Sequence, residues 1–185
     1  GIKKIKLMIY ERNFMKGTVY WITGLAGAGK TTIGKLLYKS IKTNKNNVIL
    51  LDGDRLRELY ESNDYSYYGR MTLSIKYSKL CKMLSDQGVD VICCTISMFD
   101  ECRQWNRENI SNYKEIYLKV SIDELIRRDQ KELYTKALRK EIKNVIGIDV
   151  DFEEPKQPDL LIENNGEISP EEIVNNIILN LRIDK

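Results

Sequence analysis

Histidine is absent from this chain of 185 residues, which excludes metal sites, catalytic triads and general bases that depend on an imidazole. No apolar run approaches the length of about 20 residues that a membrane-spanning helix needs, so no membrane partner is expected. The net charge of +3 comes from interspersed charges and predicts no nucleic-acid partner, because such proteins concentrate basic residues on one surface. The four cysteines show no C-x-x-C spacing, and we interpret them as reduced core residues of a cytoplasmic protein.

One domain is predicted at residues 16–185, after an N-terminal extension at residues 1–15 that lacks the long apolar core of a signal peptide. Short β-rich runs alternate with longer helical periods along this domain. Strands are predicted at 18–23, 48–51, 89–96, 115–120 and 160–162, with 89–96 in the centre. Helices are predicted at 31–43, 55–61, 72–86, 103–109, 122–128 and 133–143 and after Ser169, with loops at 62–69 and 147–158. The alternation predicts an α/β fold with a mainly parallel sheet and helices on both faces.

The motif G-x-x-x-x-G-K-[ST] occupies residues 24–31, between a predicted strand and a predicted helix, which is the context that a phosphate loop requires. Glycines allow backbone N–H groups to point at an anion, and the helix adds its positive N-terminal end. Lys30 can reach the β- and γ-phosphates, and the Thr31 hydroxyl can ligate Mg²⁺. The ATP-binding residues predicted in this loop are Gly24, Leu25, Ala26, Gly27, Ala28, Gly29, Lys30, Thr31 and Thr32.

Two acidic residues, Asp52 and Asp54, follow the second predicted strand. Because ligands bind beyond the carboxyl ends of parallel strands, both carboxylates are expected beside the phosphate loop. We expect Asp54 to orient or deprotonate an acceptor hydroxyl, and Asp52 to hold Mg²⁺ together with Thr31. With Lys30, these two aspartates form the predicted catalytic set. The alternative is a structural turn, since Asp-Gly is a strong hairpin dipeptide.

Two absent motifs narrow the class of nucleotide-binding protein. The strand predicted at 89–96 is followed by Ser97, without the acidic residue that a motor ATPase usually carries there. Residues 44–47 read NKNN and lack the final aspartate of a guanine-recognition motif. A small-molecule kinase therefore fits this chain better than a motor or a GTPase switch.

The segment 127–143 is rich in lysine and arginine. One interpretation is a mobile basic lid that covers the phosphates and excludes water. The other is a solvated helical face, because Glu132 and Glu141 are interleaved with the cations.

Seven segments in order carry a family resemblance: GLAGAGKTT (24–32), LDGDRLR (51–57), DQGVDVICCTIS (86–97), RRDQKELYTKA (127–137), EIK (141–143), GID (147–149) and EEP (153–155). Together they resemble the adenylylsulphate kinases, which transfer the γ-phosphate of ATP to the 3′-hydroxyl of adenosine 5′-phosphosulfate. The resemblance covers residues 18–181 and implies a P-loop NTPase fold, ATP with Mg²⁺, a nucleotide-type acceptor and a homodimer. It implies that Arg128 contacts ATP, and Ser97 matches a serine that is phosphorylated in some members. The acceptor-binding residues it implies are Asp54, Arg57, Tyr65, Arg70, Ile96, Ser97, Lys131, Lys136 and Val145.

The departures from the family pattern all lie in the acceptor half. The family's Gly-Phe-Ser is Asp-Tyr-Ser at 64–66, its acceptor-helix motif becomes GRMTLSIK at 69–76, and its Ile-Ser-Pro-Tyr-Arg becomes Ile-Ser-Met-Phe-Asp at 96–100. In the family, two phenylalanines sandwich the acceptor adenine, and they correspond to Tyr65 and Val145 here. Aromatic stacking is worth ~1–3 kcal/mol per base, and Val145 cannot provide it. The pattern thus predicts a conserved donor site and a changed acceptor.

Three functions follow from these observations. The favoured acceptor is cytidine diphosphoramidate, the substrate of a branch that resembles this family and serves capsule phosphoramidate biosynthesis, because a pyrimidine suits a pocket with one aromatic wall removed. The alternative is a divergent adenylylsulphate kinase that makes 3′-phosphoadenylyl sulfate. A function of another class is a regulatory ATP-binding protein with decayed activity, against which the intact Lys30, Thr31, Asp52 and Asp54 argue.

Overall fold

The computed structural model describes residues 15–129 and 132–184, so all but the last residue of the predicted extension lies outside the described residues. Five parallel strands form one sheet in the order β2-β3-β1-β4-β5. The strands are β1 (Val19–Thr23), β2 (Val48–Asp52), β3 (Asp90–Thr95), β4 (Tyr113–Lys119) and β5 (Leu160–Glu163). The predicted parallel sheet is confirmed. The prediction of the central strand was wrong, because β3 is interior but β1 holds the middle position.

Helices cover both faces of this sheet, as predicted. In the described residues they are α1 (Lys30–Lys42), α2 (Gly53–Leu59), α3 (Tyr67–Ser85), α4 (Asp100–Asn109), α5 (Ile122–Arg128), α6 (Leu133–Leu138) and α7 (Pro170–Asn180). Helix α1 packs with α7, and α3 packs with α4. All of β1 and β3 is buried between these two layers, which explains why their sequences are apolar without alternation.

Two helix boundaries differ from the prediction, and local backbone chemistry explains both. Helix α3 begins at Tyr67, inside the loop predicted at 62–69, because Ser66 caps it by accepting from the Gly69 N–H. Helix α6 ends at Leu138 and does not extend to residue 143. Lys140 and Asn144 adopt left-handed backbone angles, with φ of 60° and 64°, which no continuous α-helix can contain.

The core sits on both sides of the sheet and fixes the start of α1. The four cysteines are free and buried, as predicted. Cys94 points to α1, where its sulfur lies 3.3 Å from the Lys30 carbonyl, and Gly34 leaves the space that this sulfur fills. None of the helices in the described ranges is long and apolar enough to cross a membrane. The close contact between α1 and β3 holds the N-terminal end of α1 at the edge where the strands end.

Candidate active site

The loop at residues 24–29 joins β1 to α1 and curls as the glycine pattern predicts. Gly27 and Gly29 have φ of 83° and 93°, the left-handed region that glycine enters without a steric penalty. At Gly24, a Cβ atom would lie 2.5 Å from the Leu118 carbonyl oxygen, so β4 leaves no room for a side chain. These three positions therefore require glycine for the conformation that turns backbone N–H groups toward a bound anion.

Lys30 is the first residue of α1, and its side chain folds back over the loop. Its Nζ donates a hydrogen bond to the Leu25 carbonyl at 2.8 Å. Burial lowers the pKa of Lys30 to about 8, although the nearby Asp54 and Asp52 carboxylates oppose this shift. The ammonium group is therefore still mainly protonated at neutral pH, and it lies where the phosphates of a nucleotide on this loop would be.

Thr31 and Asp52 meet at the side of the loop, as predicted. The Thr31 hydroxyl donates to Oδ2 of Asp52 at 2.7 Å, and Oδ1 of Asp52 accepts from the Asp54 N–H at 3.0 Å. Two adjacent hard oxygens suit Mg²⁺, which typically binds one or two protein oxygens together with phosphate oxygens and water. Within the described ranges, no group of three or more acidic or cysteine side chains could hold a metal alone. The residues fit a metal that arrives with a nucleotide.

Asp54 stands in the first turn of α2, exposed to the same cleft as Lys30. The backbone of Gly53 packs closely against β3, and an added Cβ would lie 2.9 Å from the Cys94 carbonyl oxygen. The buried Tyr77 hydroxyl donates to the Gly53 carbonyl at 3.0 Å. The segment is therefore a strand-to-helix junction capped by Asp52, and the alternative of a hairpin turn was wrong.

A cleft of about 660 Å³ extends from the loop across the strand ends. It contains polar groups from the loop and from α2 beside apolar side chains from α3 and from residues 133–146. Most of the predicted site residues line it, namely Ala26, Gly27, Gly29, Lys30, Thr31, Thr32, Asp52, Asp54, Arg57, Tyr65, Arg70, Ile96, Ser97 and Lys136. The residues predicted to bind ATP and those predicted to bind the acceptor therefore meet in one cleft, as the strand-end rule predicts.

Tyr65 lies at the centre of the predicted acceptor-binding residues, and two arginines contact its ring. The Arg57 guanidinium carbon lies 4.3 Å from the ring centroid of Tyr65, and that of Arg70 lies 5.2 Å away. Arg70 also donates to the Tyr65 carbonyl at 2.9 Å and to the Asn144 carbonyl at 2.7 Å. Burial, followed by the charge of Arg57, lowers the pKa of Arg70. Two cations are thus held in fixed positions beside one aromatic ring.

Ser97 lies two residues after the end of β3 and has a left-handed conformation, with φ of 33°. Its hydroxyl is buried and lies 2.7 Å from the hydroxyls of both Ser74 and Thr95. The three hydroxyls form a chain at the floor of the cleft. The Ser97 hydroxyl is therefore buried and hydrogen-bonded. Phosphorylation of Ser97 stays a prediction.

Five predicted residues of the described ranges do not line the cleft. Gly24, Leu25 and Ala28 belong to the phosphate loop, and the side chains of Leu25 and Ala28 are buried. The other two are Val145 and Arg128. The side chain of Val145 is buried in the core, and Ile146 and Ile142 line the cleft instead. Arg128 donates to the Gly27 and Asn164 carbonyls at 3.2 and 2.6 Å, so its guanidinium binds the loop backbone, and a contact with ATP stays a prediction. Lys131 lies outside the described residues.

Three side chains that support the site were missed by the sequence analysis. The Tyr134 hydroxyl donates to the Ala26 carbonyl at 2.6 Å, and the Asn164 amide donates to the Ala28 carbonyl at 2.9 Å. Tyr77 holds Gly53 as described above. Tyr134 lies within the family-like segment 127–137, which could have marked it, whereas nothing in the local sequence marks Asn164 or Tyr77.

Comparisons with known proteins agree with this geometry. The model of the adenylylsulphate kinase family matches residues 16–163. The cytidine diphosphoramidate kinase of Campylobacter jejuni subsp. jejuni serotype O:2 is 49% identical over 171 residues, which cover 91% of this chain and 100% of that protein. A probable adenylyl-sulfate kinase of Archaeoglobus fulgidus is 36% identical over 148 residues, covering 80% of this chain and 96% of that protein. The structure of the Mycobacterium tuberculosis APS kinase CysC in complex with AMPPNP and APS superposes with a TM-score of 0.83 at 30% identity, covering 90% of this chain and 98% of that one.

Proposed function

Because the chain belongs to the adenylylsulphate kinase family, we propose that it transfers the γ-phosphate of ATP to the 3′-hydroxyl of a nucleotide with an activated 5′-group. The acceptor we propose is cytidine diphosphoramidate, the substrate named for the C. jejuni relative, which this chain matches along that protein's whole length. The reaction would serve the biosynthesis of a capsule phosphoramidate.

The observation that carries the choice of acceptor is the single exposed aromatic ring of the cleft. Among the described residues that line it, Tyr65 is 45% exposed, whereas Tyr77 and Phe99 are 3% and 1% exposed. Ile142, which is partly exposed, supplies aliphatic surface in the same cleft. One ring can stack on one face of a base, and aliphatic contacts suffice for the smaller surface of a pyrimidine. An adenine would lose the second stacking partner that the family resemblance implies.

In the donor half, the loop residues 24–32 would hold the triphosphate. The curled backbone offers N–H groups, and Lys30 would leave the Leu25 carbonyl to bridge the β- and γ-phosphates. Because charge accumulates on the phosphoryl oxygens in the transition state, a fixed ammonium group lowers the barrier.

Thr31 and Asp52 would hold Mg²⁺, together with phosphate oxygens, since their oxygens lie 2.7 Å apart beside the loop. When bound, the ion would neutralise phosphate charge. Asp52 also caps α2, so the same carboxylate sets the direction in which Asp54 projects.

In the acceptor half, Arg57 and Arg70 would bind the charged 5′-group, and Tyr65 would stack on the base. The Asp54 carboxylate would accept the proton of the 3′-hydroxyl while the hydroxyl oxygen forms a bond to the γ-phosphorus. The bond from that phosphorus to the β,γ-bridging oxygen then breaks, and ADP leaves. Ile96, Ser97 and Lys136 line the same space and would complete the pocket. A homodimer remains a prediction.

The test is a side-by-side measurement of kcat/KM for cytidine diphosphoramidate and adenosine 5′-phosphosulfate with ATP and Mg²⁺. We expect a large preference for the cytidine acceptor. Equal or reversed values would remove the cytidine assignment and leave an adenylylsulphate kinase. Transfer to neither acceptor, with nucleotide binding retained, would support the regulatory ATP-binding alternative.

A further inference from the structure

Four successive carbonyl groups of the phosphate loop accept hydrogen bonds from side chains. Lys30 binds the Leu25 carbonyl at 2.8 Å, and Tyr134 binds that of Ala26 at 2.6 Å. Arg128 binds the Gly27 carbonyl at 3.2 Å, and Asn164 binds that of Ala28 at 2.9 Å. Every peptide plane from residue 25 to residue 29 is therefore held by a donor outside the loop's own backbone.

The orientation of a carbonyl fixes the orientation of the next N–H group. A trans peptide is planar, so its C=O and N–H point in opposite directions. The bond from Tyr134 to the Ala26 carbonyl therefore directs the Gly27 N–H away from Tyr134. Because Gly27 lines the cleft and Tyr134 does not, we expect this N–H to point to the cleft side, where the triphosphate is proposed to bind.

Tyr134 differs from the other donors in the element that carries it. Arg128 and Asn164 lie at the ends of α5 and β5, whereas Tyr134 belongs to the short helix α6. Asp129 caps this helix by accepting from the N–H groups of Tyr134 and Thr135 at 2.8 and 3.1 Å. The neighbours of Tyr134 on α6 include Leu133 and Lys136, which line the cleft. The Tyr134 hydroxyl thus connects the phosphate loop to a helix that lines the same cleft.

We propose that the Tyr134 hydroxyl is a positioning group that sets the Ala26–Gly27 peptide for the triphosphate and couples nucleotide binding to the docking of α6. This inference rests on the proposed use of residues 24–32 as the triphosphate site. By linkage, a nucleotide that requires this peptide orientation stabilises docked α6, and docked α6 strengthens nucleotide binding to the same extent.

The test uses the full chain and the variant Tyr134→Phe, which keeps the buried ring and removes only the hydroxyl. A neutral buried hydrogen bond contributes about 1 kcal/mol, so we expect a non-hydrolysable ATP analogue with Mg²⁺ to bind about five- to tenfold more weakly. KM for ATP should rise by a similar factor. In the wild type, the analogue should slow hydrogen exchange at 133–138, and in the variant this protection should be lost.

Tyr113→Phe is the matched control, because the Tyr113 hydroxyl is also buried but bonds Glu115 on β4, at 2.9 Å. It should lose stability without losing nucleotide affinity. An equal loss of nucleotide affinity in both variants would overturn the proposal. Wild-type affinity together with wild-type protection from hydrogen exchange in Tyr134→Phe would overturn it as well. If Tyr134→Phe is too unstable to titrate, Asp129→Ala tests the same coupling by uncapping α6, and unchanged affinity there would also overturn it. A wild-type chain that binds no analogue would overturn the proposed function, and this inference with it.

Discussion

Asp54 and Lys30 line the same cleft but would act at different stages of the proposed reaction. Lys30 would hold ATP before and during transfer, whereas Asp54 is needed only when the acceptor hydroxyl loses its proton. The position of Asp54 is fixed by its backbone, since its N–H donates to Asp52 at 3.0 Å. A change confined to the Asp54 side chain should therefore leave the helix and the metal ligands in place.

Asp54→Asn should bind ATP with nearly wild-type affinity and turn over at least about a hundredfold more slowly, because general-base catalysis contributes typically 10²–10⁴-fold. Calorimetry with an ATP analogue and steady-state kcat measure the two effects separately. Glu58→Gln is the control, since it also neutralises an exposed carboxylate of α2. Near-normal turnover of Asp54→Asn would refute the assignment of Asp54 as the base.

The candidate chemistry-bearing residues could be proposed from the sequence, because their side chains have that chemistry wherever the fold places them. The supporting residues could not. Tyr134 and Asn164 reach loop carbonyls 108 and 136 residues earlier in the chain, and a tyrosine or an asparagine has many ordinary uses. Val145 shows the same limit, since a one-residue difference along a turn decides whether the valine or Ile146 faces the cleft.

Among the elements, α1 depends on one glycine where general propensity would favour alanine. Gly34 lies inside α1, and alanine in a helix interior is better than glycine by about 1 kcal/mol. An added Cβ would overlap the sulfur of Cys94 and lie 3.3 Å from Leu50. Overpacking of a closed core costs typically 1–3 kcal/mol. In Gly34→Ala this cost should exceed the gain in helix propensity.

Gly34→Ala should therefore lower the free energy of unfolding by about 1 kcal/mol or more and weaken nucleotide binding, because α1 carries Lys30 and Thr31. Urea denaturation and nucleotide titration measure these effects. The double variant Gly34→Ala with Cys94→Ala removes the overlapping sulfur and should recover part of the lost stability. A stabilised Gly34→Ala protein would contradict the close packing of α1 on β3.

Helix positions could be predicted from apolar periodicity, but helix ends could not. The pattern of α3 begins at residue 72, whereas its first turn contains Tyr67, Tyr68 and Gly69 and is fixed by the cap at Ser66. Basic residues continue past Leu138 in a helix-compatible pattern, yet the chain turns at Lys140. Caps and left-handed residues depend on contacts that the local pattern does not contain.

For the whole molecule, the parallel sheet could be predicted from alternating strands and helices, but the strand order could not. Apolar content suggested β3 as the centre, while β1 lies between β3 and β4. The order matters for function, because it places the ends of β1, β2 and β3 side by side. The loop after β1, the two aspartates at the end of β2 and Ser97 after β3 thereby share one cleft.

This cleft has two halves that should be energetically separable. The proposed donor half consists of the loop and α1, and the proposed acceptor half is centred on Tyr65, Arg57 and Arg70. If Tyr65 stacks on the acceptor base, its truncation removes ~1–3 kcal/mol of binding and leaves the loop untouched. Tyr65→Ala should thus raise the acceptor KM about 5- to 150-fold, while the ATP affinity stays within about twofold of wild type because no loop contact is lost.

Initial-rate kinetics with each substrate varied in turn measure both quantities, and Tyr65→Phe should restore most of the acceptor affinity because it keeps the ring face. Tyr68→Ala is the matched control from the same segment, since its side chain is 73% exposed and does not line the cleft. Equal effects of Tyr65→Ala and Tyr68→Ala would contradict a stacking role. A matching rise in the KM for ATP would show instead that Tyr65 supports the whole cleft, and the acceptor could then not be assigned from its one exposed ring.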